Sequence, residues 1–374
     1  MAVTRISIEE FLSLAQTHVV LDVRSPGEFG HAHIPGAHSL PLFSDEERKV
    51  VGTAYKQESQ QKAIKLGLEF YGVKMVKMVE EVEALLQTKN NAKEFKRDQQ
   101  VVLVHCWRGG MRSAGVAWLL DLYGFKVYTL AGGYKAYRNW VLAQFAVPYP
   151  INIVGGFTGS GKTEALQALA KKKESVIDLE GLAHHKGSAF GSLGQPPQPT
   201  QEMFENVLAA ALKKTVTEWQ VAENQQHKPV LWLEDESQRI GEVNLPAAFF
   251  KQMRDKQIYF LDIPFEERLR FITEHYGKFE KALLVNAVIR IKKRLGGLET
   301  KNAVNFLIED NIKDCFAILL TYYDKFYLKS LQNRENFSSL FNKIELSTVS
   351  AEETAKALLK HYTNRVPVIT SNQS

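Results

Sequence analysis

INIVGGFTGSGKTEAL, residues 151–166, reads as a short apolar strand, a glycine-rich loop and the opening of a helix. Inside it, Gly156-Phe157-Thr158-Gly159-Ser160-Gly161-Lys162-Thr163 satisfies G-x-x-x-x-G-K-[ST]. The flanking strand and helix are the context that separates a phosphate-binding loop from a chance match. Backbone N–H groups from Gly156 to Gly161 would cradle phosphate oxygens, Lys162 would add a point charge, and the Thr163 hydroxyl would reach a Mg2+ ion. Such a loop says that a phosphate or diphosphate sits there; by itself it does not mean ATP hydrolysis.

Downstream, SVIDL (175–179), VLWLE (230–234) and QIYFLDI (257–263) are further strand candidates separated by helical stretches. That alternation implies a mostly parallel sheet with helices on both faces. VLWLEDES carries Glu234, Asp235 and Glu236 at a strand end of the kind that faces a phosphate loop, and Asp235 is the expected acid or metal contact. Arg239, Arg268 and Arg270 are candidates for phosphate. Residues 187–201, GSAFGSLGQPPQPTQ, form a long Gly/Pro/Gln-rich loop of the sort that serves as a lid or binding loop. Beside it His184, His185 and Lys186 either orient substrate or pack the loop. Beyond about residue 264 the pattern is mainly helical to His361, and 365–374 reads as a flexible tail.

Upstream, VLAQFAVPYP (141–150) ends in two prolines and marks a boundary, giving domains at 1–145 and 150–364. In the first, HVVLDV (18–23), VVLVH (101–105) and VYTL (127–130) have the character of buried parallel strands. Residues 45–98 are charged and mostly helical, a long insertion between strands. VVLVH runs straight into Cys106-Trp107-Arg108-Gly109-Gly110-Met111-Arg112-Ser113, and a helix follows that stops at Gly124. A loop between strand end and helix start turns N–H groups inward, and the helix dipole adds positive charge. Gly109 and Gly110 permit the tight path, and Arg108 and Arg112 add full charges. This setting favours the thiolate of Cys106 as a nucleophile and would also bind an oxyanion. Trp107 either stacks on a base or walls the pocket. Cys315 lies in an apolar helical stretch and belongs to the core.

The chain has 374 residues, 45% hydrophobic and 24% charged, with net charge +5. That is ordinary for a two-domain soluble protein. No apolar run is long enough for a membrane span, the first residues lack the layout of a secretory signal, and two cysteines give no disulfide framework, so a cytoplasmic protein without a membrane partner is expected. Basic residues cluster at Lys171, Lys172 and Lys173 and at Arg290, Lys292, Lys293 and Arg294. In the second cluster Arg290, Lys293 and Arg294 have the spacing of one helical face, available to an anionic polymer. Oligomeric state is left open.

The run Asp22-Val23-Arg24-Ser25-Pro26-Gly27-Glu28-Phe29, with His31 and His33-Ile34-Pro35-Gly36-Ala37, resembles rhodanese-type sulfurtransferases, as do the Cys106 loop and Leu130-Ala131-Gly132-Gly133-Tyr134. Arg112 stands six positions after Cys106, one more than in the commonest sulfurtransferase loops; related phosphatases share the longer span, which suggests room for a phosphate-like group. CWRGGMRS followed by GGFTGSGKT resembles the tRNA 2-selenouridine synthase family, as do residues 179–191 and Glu236-Ser237-Gln238-Arg239-Ile240-Gly241. The resemblance implies a rhodanese-like parallel-sheet domain, then a P-loop NTPase-like α/β domain with a helical C-terminal part. It also implies that Asp22 and Arg24 support the cysteine loop. The implied substrate is wobble 2-thiouridine in the tRNAs for lysine, glutamate and glutamine. Its sulfur would be geranylated from geranyl diphosphate and then replaced by selenium from selenophosphate, made by a supplying enzyme; Cys106 would serve the selenium step. The phosphate loop would seat the geranyl diphosphate, tRNA phosphate or a nucleotide. Two rivals are a general sulfurtransferase coupled to an ATP-binding kinase-like domain, and a phosphate-sensing or RNA-binding regulator whose cysteine loop binds anions without turnover.

Overall fold

The structure, a computed structural model, describes residues 3–90, 100–221 and 229–363. The chain divides into two compact units between Gln144 and Phe145. The end of the 45–98 insertion and the 365–374 tail lie outside the described residues.

The first unit runs β1 (Thr4–Ile6), α1 (Ile8–Ala15), β2 (Val19–Asp22), α2 (Pro26–His31), β3 (His38–Ser39), α3 (Asp45–Gln57), α4 (Gln60–Gly72), α5 (Met75–Asn90), β4 (Val101–His105), α6 (Met111–Tyr123), β5 (Lys126–Leu130) and α7 (Gly133–Gln144). Its sheet has the order β1-β5-β4-β2-β3, and every pairing is parallel. Val102, Leu103 and Val104 of β4 are fully buried, as a central strand covered on both faces requires. The insertion is helical for local reasons. Ser44 and Glu47 form a reciprocal capping box at α3, and Ser59 accepts from Lys62 N at 3.1 Å to start α4. Gly124, at φ +110°, ends α6.

The second unit runs β6 (Ile151–Gly156), α8 (Lys162–Lys171), β7 (Ser175–Val176), α9 (Leu179–Ala183), α10 (Gln201–Val221), β8 (Leu231–Glu234), β9 (Arg239–Ile240), β10 (Val243–Asn244), α11 (Ala247–Arg254) and β11 (Gln257–Asp262). Then come α12 (Phe265–Tyr276), α13 (Lys281–Arg290), α14 (Lys292–Leu295), α15 (Gly297–Ile308), α16 (Ile312–Gln332), α17 (Phe337–Leu340), β12 (Phe341–Glu345) and α18 (Ala351–Thr363). Its parallel sheet has the order β12-β11-β6-β8-β7. Both the phosphate loop and the acidic run therefore leave neighbouring strands at the carboxyl edge, where open α/β sheets bind ligands.

The fold class matches the expectation, and three details differ. SVIDL is a strand only at Ser175–Val176, because Asp178 accepts from Gly181 N at 2.7 Å and caps α9 instead. The mainly helical stretch contains β12, an edge strand with only Asn342 and Ile344 buried. Finally, Arg290 and the pair Lys293/Arg294 do not share one helix: the turn at Ile291 separates α13 from α14, although all three side chains are exposed.

Candidate functional site

Cys106 follows β4, between β2 and β5, and its thiol is 3% exposed. Sγ lies 3.3 Å from Ser113 Oγ and accepts from Gly110 N at 3.4 Å. Ser113 Oγ also donates to Gly110 O at 3.0 Å, so its single proton has two acceptors to choose between. With a thiol present the proton stays on the carbonyl; with a thiolate it turns to sulfur. Burial pushes the thiol up, but the hydrogen bonds from Ser113 and Gly110 N and the charge of Arg112 outweigh it, holding Cys106 below the ordinary thiol value. Ser113→Ala should therefore slow iodoacetamide alkylation of Cys106 at neutral pH about tenfold and move its profile to higher pH. An unchanged profile would mean that Ser113 does not support the thiolate.

Backbone holds this loop. Tyr134 N donates to Cys106 O at 2.8 Å and Lys135 N to Trp107 O at 3.0 Å. A Cβ at Gly133 would lie 2.3 Å from Cys106 O, and one at Gly109 would lie 2.5 Å from Leu130 O, so neither position admits a side chain. Underneath, the buried Arg24 bonds both Asp22 oxygens at 3.0 Å and Ala32 O at 2.7 Å, with its guanidinium 3.8 Å over the Tyr134 ring. His105 beside it is wholly buried, which pushes it down to about 4 and leaves it neutral at pH 7. Arg112 donates to Glu28 Oε2 at 2.8 Å, and the same oxygen takes Arg48 Nε at 3.0 Å. Burial opposes the Glu28 charge, yet Arg112, Ser25 N and Arg48 bring the carboxyl down to about 2. Nothing local in the sequence marks Glu28 or Ser113 for these roles, although both lie inside the motifs that carry the resemblance. Trp107, Arg108 and Met111 are exposed; Trp107 leans on Tyr134, ring centroids 5.7 Å apart. From Met111 and Arg112 an apolar groove of about 460 Å3 opens between α3, α4 and α6, lined by Tyr55, Ile64, Leu68 and Trp118 among others.

In the second unit the phosphate loop takes its shape from Gly156, Gly159 and Gly161, all at positive φ. Lys162 Nζ donates to Gly156 O at 3.1 Å, and Thr163 Oγ1 to Glu180 Oε2 at 3.2 Å. The loop is braced from behind. Arg268, expected as a phosphate contact, is buried instead: it pairs with Asp324 and donates to Thr158 O at 3.0 Å. Arg270 is exposed and paired with Glu267 and Glu274. Tyr327 OH accepts from Gly156 N at 3.1 Å and donates to Asp235 Oδ2 at 2.7 Å; the other Asp235 oxygen binds Arg334.

Asp235, the expected acid or metal contact, lines the cavity at the phosphate loop and is held there by Tyr327 and Arg334. Arg334 is buried, so Asp235→Ala should cost about 3–5 kcal/mol of second-unit stability in denaturant titration; a loss under about 1 kcal/mol would show another partner for the guanidinium. The carboxylates facing Lys162 are Glu180 and Glu236. Burial raises both, Lys162 opposes the rise, and a hydrogen bond joins the pair, as for two carboxyls sharing a proton. Glu234, fully buried, accepts from Glu180 N at 2.8 Å. Among the described residues no three His, Cys, Asp or Glu side chains are set to hold a metal among themselves. Arg239 is exposed and donates to Gly241 O.

The loop opens into a cavity of about 310 Å3 whose facing wall is aromatic and apolar, with Phe271, Ile272, Tyr276, Tyr323, Phe326 and Tyr327. A separate small pocket of about 30 Å3 lies between Phe190, Phe316 and Leu319 and shares Ile272, Tyr276 and Tyr323 with the cavity wall. Phe190 belongs to the helical core, and Phe157 packs on Phe260 and Tyr327. His184 Nδ1 lies 2.8 Å from Pro197 O, fixing the long loop. Among the described residues no helix is long and apolar enough to cross a membrane.

These two sites define a protein that joins a cysteine loop of sulfurtransferase type to a phosphate-binding α/β unit. A rhodanese-like domain profile matches residues 7–139, and a profile described as tRNA 2-selenouridine synthase AAA domain matches 149–352. The tRNA 2-selenouridine synthase of Hydrogenovibrio crunogenus is 34% identical over 360 residues, covering 87% of this chain and 93% of that protein. The one from Shewanella piezotolerans is 35% identical over 362 residues with the same coverage. A solved domain from Clostridium difficile 630, described as the N-terminal domain of an ATP/GTP binding protein, is 37% identical, covers 37% of this chain and 99% of that domain, and has a TM-score of 0.33. The chain belongs to the tRNA 2-selenouridine synthase family.

Proposed function

We propose that this protein converts wobble 2-thiouridine to 2-selenouridine in the tRNAs for lysine, glutamate and glutamine, in two steps served by the two sites. In the first, the thiouridine sulfur attacks the first carbon of geranyl diphosphate; the carbon–oxygen bond breaks, diphosphate leaves and the nucleobase gives up a proton. In the second, selenium from selenophosphate bonds to the nucleobase carbon and geranylthiol departs, while water takes the phosphoryl group as phosphate. The relatives' names support formation of 2-selenouridine in tRNA; the thiolated starting nucleoside, the three tRNAs, the donors and the intermediate belong to the proposal.

The observation that carries it is the second-unit cavity, a phosphate cradle facing an aromatic and apolar wall. A diphosphate bearing a branched hydrocarbon chain matches both walls. A Mg2+ ion entering with the diphosphate would find Thr163 and the Glu180–Glu236 pair, the donor types such an ion takes beside phosphate. Its chemistry there is to neutralise the departing diphosphate. In the first unit the apolar groove starting at Met111 offers the chain of the geranylated nucleoside a path beside the cysteine loop. The exposed Arg290, Lys293 and Arg294 suit the tRNA backbone, and so does Arg239.

The test is nucleoside mass analysis of 2-thiouridine tRNA incubated with the full-length protein, geranyl diphosphate and selenophosphate. Formation of 2-selenouridine, with S-geranyl-2-thiouridine when selenophosphate is withheld, is expected. Untouched tRNA together with thiosulfate:cyanide turnover would favour the sulfurtransferase reading.

A further inference from the structure

The Cys106 loop has a feature that selenium transfer through a cysteine-bound selenium atom does not use. Arg112 stands six residues after Cys106, is steered by Glu28 at 2.8 Å, and sits on the first turn of α6. The first-turn N–H groups of a helix have no carbonyl partner within it, so this end of α6 presents donors and a guanidinium to the space beside Sγ. The whole arrangement suits three oxygens on one central atom, as in a phosphoryl group. Ser113 adds a second feature. Its one proton moves between Gly110 O and Sγ, so it supports sulfur whenever sulfur carries negative charge.

Resting on the reading that selenophosphate is the donor, we propose that Cys106 accepts the phosphoryl group of the donor rather than its selenium. Electron count separates the two routes. Attack of the thiolate on selenium would leave the phosphorus holding the bonding pair, as a phosphite, with selenium oxidised; nothing in the site takes up that change. Attack on phosphorus forms an S–P bond and breaks the Se–P bond, and selenium leaves with the pair as selenide. No oxidation state changes. Water then attacks phosphorus, the S–P bond breaks, phosphate departs and the thiolate returns under the Ser113 proton. Selenide is thereby released at the cysteine loop to attack the nucleobase carbon, and the geranylthiolate it displaces takes up the proton that selenide brings.

The experiment needs no tRNA. Full-length protein is mixed with selenophosphate, and separately with inorganic thiophosphate, quenched in acid and digested for peptide mass analysis. One phosphoryl group on the Cys106 peptide is expected with both donors, together with release of selenide or sulfide. Ser113→Ala should slow adduct formation about tenfold, as it slows alkylation, and slow adduct hydrolysis by more, because the departing thiolate loses its proton donor. Once donor is removed the adduct should outlast that of wild type several-fold, whereas a purely structural role for Ser113 would leave its lifetime unchanged. Arg112→Ala should slow adduct formation about a hundredfold. A selenium atom on Cys106 in place of the phosphoryl group overturns the proposal, and so does selenide release without any adduct in both wild type and Ser113→Ala. If the phosphoryl adduct forms while 2-thiouridine tRNA stays unchanged with all substrates present, it is the tRNA reaction that fails and the phosphoryl transfer that stands.

Discussion

Cys106→Ala is expected to lower selenium incorporation into 2-thiouridine tRNA by a factor on the order of 10^3 or more, while S-geranyl-2-thiouridine accumulates. The size of the effect follows from the site. Sγ is the proposed nucleophile around which Gly110 N, Ser113 and Arg112 are arranged, and Cys315, buried in the second unit's helical core with its thiol pushed up to about 12, cannot replace it. Because the loop is held by Tyr134 N, Lys135 N and the close approach of Gly109 and Gly133, removing the sulfur should leave the loop in place. Thermal unfolding within a few degrees of wild type would confirm that the loss is chemical. A variant that still makes 2-selenouridine at a tenth of the normal rate would show that selenium reaches the nucleobase without the thiol.

Lys162→Ala should stop the protein one step earlier. Lys162 is the cation of the phosphate loop, and its charge acts on both Glu180 and Glu236. Without it the cradle keeps its N–H groups and loses the charge proposed to meet the departing diphosphate, a change worth about 10^2–10^3 in rate. Mass analysis should find the uridine still thiolated and not geranylated. Supplying tRNA already carrying S-geranyl-2-thiouridine should restore the selenium step to within a few-fold of wild type. Failure on that substrate as well would assign the loop to tRNA phosphate instead of the donor.

Both loops were legible in the sequence because each is local. A strand, a turn with obligatory glycines and a helix start fit inside about a dozen residues, and the residue types in them have few other uses. What escaped is carried by partners far apart in the chain. Asp235 at the end of an acidic strand looks like a free carboxylate until Tyr327 and Arg334 arrive from α16 and the turn after it. Arg268 looks like a phosphate ligand until Asp324 claims it. Glu28 gains its meaning only from Arg112. β12 has no apolar run to announce it, since Phe341 is only half-buried and Lys343 and Glu345 point to solvent. Asp178 was read as part of a strand because its neighbours are β-branched, and its capping bond to Gly181 decides otherwise.

The parallel strand β12 and the helix α18 have a consequence for how the molecule is made. α18 packs its Ala355 and Leu358 beside Leu166 and Leu169 of α8, and β12 completes the sheet next to β11. A ribosome delivers the phosphate loop long before it delivers these covers, whereas every described strand of the first unit has emerged by Leu130. The cysteine unit can thus settle while its neighbour is still being synthesised. The second unit must wait with apolar β11 and α8 bare until β12 and α18 follow, after the first unit's own long-range pairing of β1 with β5 has become possible. During synthesis, chaperone demand should therefore fall on the phosphate-binding half, and slowing translation across residues 264–340 should lengthen its exposure without troubling the cysteine half.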